Sequence, residues 1–288
     1  MFREEWPLMM FTLFTQLAVG TFIILFLIRY LLDKQGNKAL AAQLTNQGFL
    51  LVWPVMGIAL ILSIFHLGSP SIAFRAISNL DSSWLSREIL FAGLFFALTV
   101  VSWYLYKKGQ GGHVLGLITV LVGLIAIYSM SSIYAAAVKP AWSNLNTFIC
   151  YYGVTFTFGP LAAIALVTRA MKGNGDQQVH TLLKKMSYIS LIAILIQLVY
   201  LPIYLTSLSQ GGTTAVASLQ LLSDSYSFQM VLHWVLTVVG SILCIYTLVK
   251  KNPLKAQSLL YVAFLCVIVG EFIGRYVFYA SGISIMIG

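Results

Sequence analysis

Eight long apolar segments fill most of the 288-residue chain. A helix that crosses a bilayer needs about 20 apolar residues, and within hydrocarbon it must satisfy its own backbone hydrogen bonds. Spans are expected at about 7–31, 48–67, 87–106, 114–137, 148–170, 186–208, 228–249 and 258–280. Eight such helices and their short connections use up the length. The expected fold is therefore all-α, a polytopic membrane protein of eight transmembrane helices forming a single integral membrane domain over 1–288.

Composition agrees. Hydrophobic residues make up 59% of the chain and charged residues 9%, against roughly 25% charged in a soluble domain, and the mean hydropathy is +0.90. The net charge of +9 is not a nucleic-acid signal, because the basic residues fall between apolar segments. Their distribution sets an orientation. Twelve of the 17 Lys and Arg fall on one side of the predicted topology, among them Arg29, Lys34, Lys107, Lys108, Lys184 and Lys185. Only Arg3, Arg75, Arg87, Lys139 and Arg275 fall on the side of the two termini. The positive-inside rule then puts the first set in the cytoplasm and both termini on the periplasmic side of a bacterial inner membrane.

Glu4 and Glu5 precede the first apolar run, where a cleaved signal peptide would be basic, so a span is expected there. Cys150, Cys244 and Cys266 form no C-x-x-C pair, which argues against an iron–sulfur cluster or a zinc site, and Cys244 and Cys266 fall within apolar segments, which argues against a disulfide framework. Pro54, Pro160 and Pro202 fall inside spans. Kinks are the plain reading, and a broken-helix ion site the alternative.

A few ionisable residues stand out against this background. Glu271 and Arg275 lie within the last segment, four residues apart and so on one helix face. His66, Arg75 and Glu88 bracket the loop between segments two and three. With His233, they bring ionisable groups from four helices to one depth near the terminal side. A charge in hydrocarbon persists mainly where it pairs, faces protein or works on a ligand.

A quinol suits such a cluster. Its oxidation releases two electrons and two protons, and needs an apolar slot, a partner for each oxygen and a base that passes protons to water. Histidine fits the base role, a carboxylate can orient it or relay the proton, and an arginine keeps a buried carboxylate ionised. Plainer readings stand beside this one. His66 next to a Gly-Ser-Pro turn can cap a helix, Arg75 and Arg87 can be interfacial anchors, and Glu271 with Arg275 can be a structural pair. The Tyr and Trp residues are expected mostly in interfacial belts. Haem is disfavoured, since only His66 and His233 lie at similar depth and no second pair could carry electrons across the membrane. A secondary transporter is the alternative from another class, and a purely structural anchor a third.

Several motifs resemble one family. Glu5-Trp6-Pro7-Leu8-Met9 leading into Phe11, Thr12 and Gln16, then Met56-Gly57-Ile58, His66-Leu67-Gly68-Ser69-Pro70 with Ala73-Phe74, Leu85-Ser86-Arg87-Glu88 and Gly270-Glu271-Phe272-Ile273-Gly274-Arg275 with Phe278-Tyr279 are similar to the membrane-anchor subunit of anaerobic dimethyl sulfoxide reductase. The middle of the sequence, roughly 110–225, resembles the family only in hydropathy. The resemblance implies an eight-helix anchor without haem that binds menaquinol and holds an iron–sulfur subunit and a molybdopterin catalytic subunit to the membrane. It implies quinol binding at His66, with Glu88 as the acidic residue of the next motif. Arg75, Glu271 and Arg275 join the candidate quinol-binding set, and His66 and Glu88 are the candidate catalytic residues.

Overall fold

The computed structural model describes residues 2–66, 79–171, 177–249 and 253–285, with side chains described over 6–65, 79–171, 177–249 and 257–285. These residues form helices and no strand: α1 (Phe2–Lys34), α2 (Lys38–His66), α3 (Trp84–Lys107), α4 (His113–Ala135), α5 (Leu145–Ala170), α6 (Gln177–Ser209), the short α7 (Thr213–Gln220) continuing into a π-turn (Leu221–Ser225), α8 (Ser227–Val249) and α9 (Pro253–Ala280). All but α7 are long and apolar enough to cross a membrane, giving eight spans among the described residues. The protein is a multi-pass membrane protein. With eight crossings, α1 starts and α9 ends at the same face of the bundle, called the terminal face below.

The helices exceed the apolar runs that define them. At 1.5 Å per residue, the 33 residues of α1 extend about 50 Å, well beyond the ~30 Å hydrocarbon core. α2, α5 and α6 run unbroken through Pro54, Pro160 and Pro202. The broken-helix alternative finds no interrupted span at these prolines. Ser83 caps α3 by accepting from the Ser86 amide at 3.3 Å, and Asn144 caps α5 by accepting from the Asn146 amide at 2.9 Å. Each cap satisfies a first-turn N–H that the helix itself leaves unpaired.

Two helices sit at the centre. In α1 and α5, 72% of the most apolar stretch is buried, against 28% in α2, α3, α6 and α9. The central pair touches backbone to backbone. A Cβ on Gly20 would stand 2.1 Å from Thr155 O, and one on Gly159 would stand 2.4 Å from Gly20 C. Small residues at a crossing let helices approach closely in lipid, where packing rather than water drives association. α8 and α9 form a second tight pair through Gly240, Gly270 and Gly274. The outer faces carry exposed apolar side chains such as Val114, Val199 and Val231, as expected of surfaces that meet lipid.

One basic residue departs from its expected place. Arg29 is not in a solvated connection but buried in α1 at the end opposite the terminal face, 6% exposed. It donates to Asn46 Oδ1 at 2.8 Å and Thr45 Oγ1 at 3.2 Å, and its guanidinium lies 4.2 Å from the Tyr106 ring centroid. It thus ties α1 to α2 and α3. Arg29 falls inside the first apolar run rather than after it, and a partnered guanidinium is tolerated there.

Candidate functional site

Glu88 is buried because of where α3 places it. Glu88, Ala92, Phe95, Thr99, Ser102 and Tyr106 recur at alternating spacings of four and three, and all are buried. That spacing keeps one helix face towards the bundle. Glu88 is the terminal-face member of this stripe and only 3% exposed. Its carboxyl accepts no hydrogen bond from a described residue, and it interacts electrostatically with Tyr134 and Tyr151. Arg87 faces the other way. Its Nε and Nη2 donate to Leu80 O and Asp81 O, both at 2.8 Å, and its guanidinium caps the Trp84 ring at 4.2 Å. Arg87 is an anchor for the connection into α3.

The aromatic residues behind Glu88 form a buried cluster. The hydroxyls of Tyr134 in α4 and Tyr279 in α9 are 2.6 Å apart. Tyr134 and Tyr151 stack with ring centroids 5.7 Å apart, and Trp142 stacks on Phe278 at 5.6 Å. The Trp142 indole N–H donates to Phe278 O at 2.7 Å. Tyr134, Tyr151 and Tyr279 are exceptions to the expected interfacial belts, lying 6% exposed or less. Each brings a hydroxyl into the bundle with ring area that packs like any core side chain.

Arg275 joins this cluster to the central helix. Its Nη2 donates to Gln16 Oε1 at 2.7 Å, and its guanidinium lies 4.0 Å above the Tyr151 ring. Gln16 Nε2 in turn donates to Tyr151 O at 2.8 Å, which turns the amide oxygen towards Arg275. Nε and Nη1 of Arg275 have no partner among the described residues. The expected direct ion pair with Glu271 is absent among the described residues. Helix spacing puts the two on one face, but the guanidinium extends across to α1 and α5, where an amide and a ring receive it. Glu271, 2% exposed, stays within electrostatic range of Arg275 and Cys150 and accepts no hydrogen bond from a described residue.

His233 is held against α9. Its Nδ1–H donates to Gly270 O at 2.8 Å, which leaves Nε2 as the lone-pair nitrogen of the neutral ring. A Cβ on Gly274 would stand 2.7 Å from this imidazole. The two glycines of the Gly270-Glu271-Phe272-Ile273-Gly274-Arg275 motif thus seat the histidine, and its two charged residues face the bundle.

His66 is the last residue of α2, and its side chain lies outside the described residues. Arg75 lies outside them altogether. The structure therefore brings together Glu88, Glu271 and Arg275 within one buried layer and describes no geometry for the other two. Gln16, Tyr134 and Tyr151 are layer members that the sequence reading did not assign to a site. The available signal was Gln16 itself, an amide in the middle of an apolar run, which needs a partner inside the bundle.

The comparisons with known proteins agree with the motifs. A family model described as the DMSO reductase anchor subunit (DmsC) matches residues 2–281. The C subunit of anaerobic dimethyl sulfoxide reductase from Escherichia coli is 31% identical over 288 aligned residues, covering 98% of this protein and 96% of that one. The YnfH subunit of anaerobic dimethyl sulfoxide reductase from Escherichia coli is 26% identical with the same coverage. The C subunit from Haemophilus influenzae is 30% identical over 161 residues, 54% of this protein and 56% of that one. The protein belongs to the dimethyl sulfoxide reductase anchor subunit family.

Proposed function

We propose that this protein is the quinol-oxidising membrane anchor of a molybdopterin-dependent S- or N-oxide reductase in anaerobic respiration, seated in the bacterial inner membrane with both termini in the periplasm. The observation that carries the reading is Glu88, a carboxyl buried near the start of α3 in a reductase-anchor family member. It has no described hydrogen-bond partner, and α3 is the span that follows α2 and its last residue, His66.

Menaquinol would give up two protons and two electrons near the terminal face. His66 accepts a proton from a quinol hydroxyl, and Glu88 orients the imidazole or takes the proton onward. Arg75 is a candidate for the second quinone oxygen or for the partner surface. Glu271 and Arg275 shape the proton exit. The electrons pass to an iron–sulfur subunit and then to a catalytic subunit carrying molybdopterin, so the anchor alone does not complete the reaction.

The experiment compares the isolated complex with its His66→Ala variant. Menaquinol-linked turnover should be lost while the complex stays assembled and reduces its acceptor from an artificial donor. Normal quinol oxidation by the variant would make His66 a helix cap and overturn the assignment. The alternative of a secondary transporter is weakened by the unbroken helices and by polar groups gathered towards one face rather than at mid-membrane.

A further inference from the structure

We propose that a hydrated pocket walled by α5, α6, α8 and α9 at the terminal face is the path by which Glu271 passes protons to the outer aqueous phase. The inference rests on the quinol-oxidising reading above.

The pocket holds about 80 Å³, and its walls include Asn146, Cys150, Gln197, Tyr204, His233 and Ser281. One water needs roughly 10–15 Å³ and two to four polar partners, whereas apolar cavities stay dry. This space is large enough for several waters, and its walls supply the partners. Tyr204, Ser281 and Gln197 each donate to a backbone carbonyl, at 3.1, 3.0 and 3.3 Å, and their oxygens keep lone-pair capacity to accept from water. The Trp234 indole N–H, on the same wall, is buried without a partner among the described residues. The larger groove between α5 and α6 makes the contrast. Its 510 Å³ is lined by apolar groups such as Phe148, Phe156, Ile189, Ile192 and Ile196, a surface for lipid tails.

Glu271 is not itself a wall residue, but Gly274 and Phe278, three and seven positions later on the same face of α9, both are. Cys150, on the facing wall, interacts electrostatically with both Glu271 and Arg275. The step is a proton transfer only. The carboxyl O–H of Glu271 breaks, a pocket water gains the proton and hands it outward along the water chain, and the carboxylate left behind faces the Arg275 charge. The next proton released at the quinol restores the acid.

Two measurements on the intact complex test this. First, right-side-out membranes are exposed to Ag⁺, which follows water and not lipid, then solubilised and alkylated with maleimide. Ag⁺ should protect Cys150 while Cys244, buried in α8, remains open to alkylation. A Ser281→Cys variant supplies a second thiol on the same wall. If neither thiol is protected, the pocket is dry and the proposal is overturned. Second, Glu271→Gln should slow menaquinol-linked turnover by about a hundredfold, the scale of general acid–base assistance. Artificial-donor activity should persist, and azide, a small weak acid, should restore turnover. Unchanged turnover, or a loss that azide leaves untouched, overturns the relay. A wild-type complex that does not oxidise menaquinol defeats the underlying reading instead, and the thiol result still decides whether the pocket holds water.

Discussion

Arg275 reaches across the bundle to Gln16, its Nη2 donating to the amide oxygen at 2.7 Å although the two residues stand 259 positions apart. This hydrogen bond helps to link the last span to the central first one. A buried guanidinium with two nitrogens unpartnered among the described residues depends heavily on the acceptor it does have, because an unpaired buried charge is costly.

Gln16→Leu should therefore destabilise the protein by about 1.5–3 kcal/mol, the scale of a hydrogen bond to a charged group. A double-mutant cycle of Gln16→Leu with Arg275→Met should recover most of that as coupling energy. The Glu271 and Arg275 cycle should give a smaller value, since no described ion pair joins them. Denaturation midpoints in detergent or lipid check both. A larger coupling for the second pair would show that the guanidinium prefers its own helix.

Tyr134→Phe and Tyr279→Phe should each cost about 1 kcal/mol, the usual net value of a hydrogen bond, because either change breaks the 2.6 Å hydroxyl contact. The double variant should cost little more than either single one. Additive losses would mean that the two hydroxyls do not depend on one another.

Gly274→Ala places a methyl 2.7 Å from the His233 ring, so the imidazole must leave its seat and its bond to Gly270. Destabilisation of about 1–3 kcal/mol is expected for such overpacking. Gly93→Ala is the control, because no atom of a described residue lies within 4 Å of a Cβ there. Equal effects at the two positions would remove the steric argument for the motif glycines.

The contrast between these residues explains what could be read before the structure. Glu271 and Arg275 were legible because charge is rare in an apolar segment and must face protein. Glu88 was legible for the same reason, and its stripe of Ala92, Phe95, Thr99, Ser102 and Tyr106 carries the inward face in its spacing. The partner of Arg275 was not legible. Spacing along one helix nominates Glu271, but the long side chain can cross to another helix, and only tertiary packing chooses Gln16. Tyr134, Tyr151 and Tyr279 were hidden because tyrosine is equally at home in an interfacial belt. The seat of Arg29 was hidden because its partners, Thr45, Asn46 and Tyr106, come from other helices.

The partner subunits should dock on the face that bears the termini, and that face should be periplasmic. The 12-to-5 imbalance of Lys and Arg is the ground for expecting this orientation by the positive-inside rule. Glu88 lies four residues from the start of α3 and Arg275 five from the end of α9, about 6–8 Å along the axis from the terminal ends of their helices. A quinol oxidised at this depth is separated from the opposite face by most of the ~30 Å core, and electron transfer falls steeply with distance. Its electrons need an acceptor on the same side. Protons released there leave outward as well, so turnover should separate little charge across the membrane. Protease treatment of right-side-out spheroplasts checks the placement: the bound catalytic subunits should be digested without breaking the membrane. Their protection until lysis would require either the opposite orientation or an electron carrier spanning the bundle.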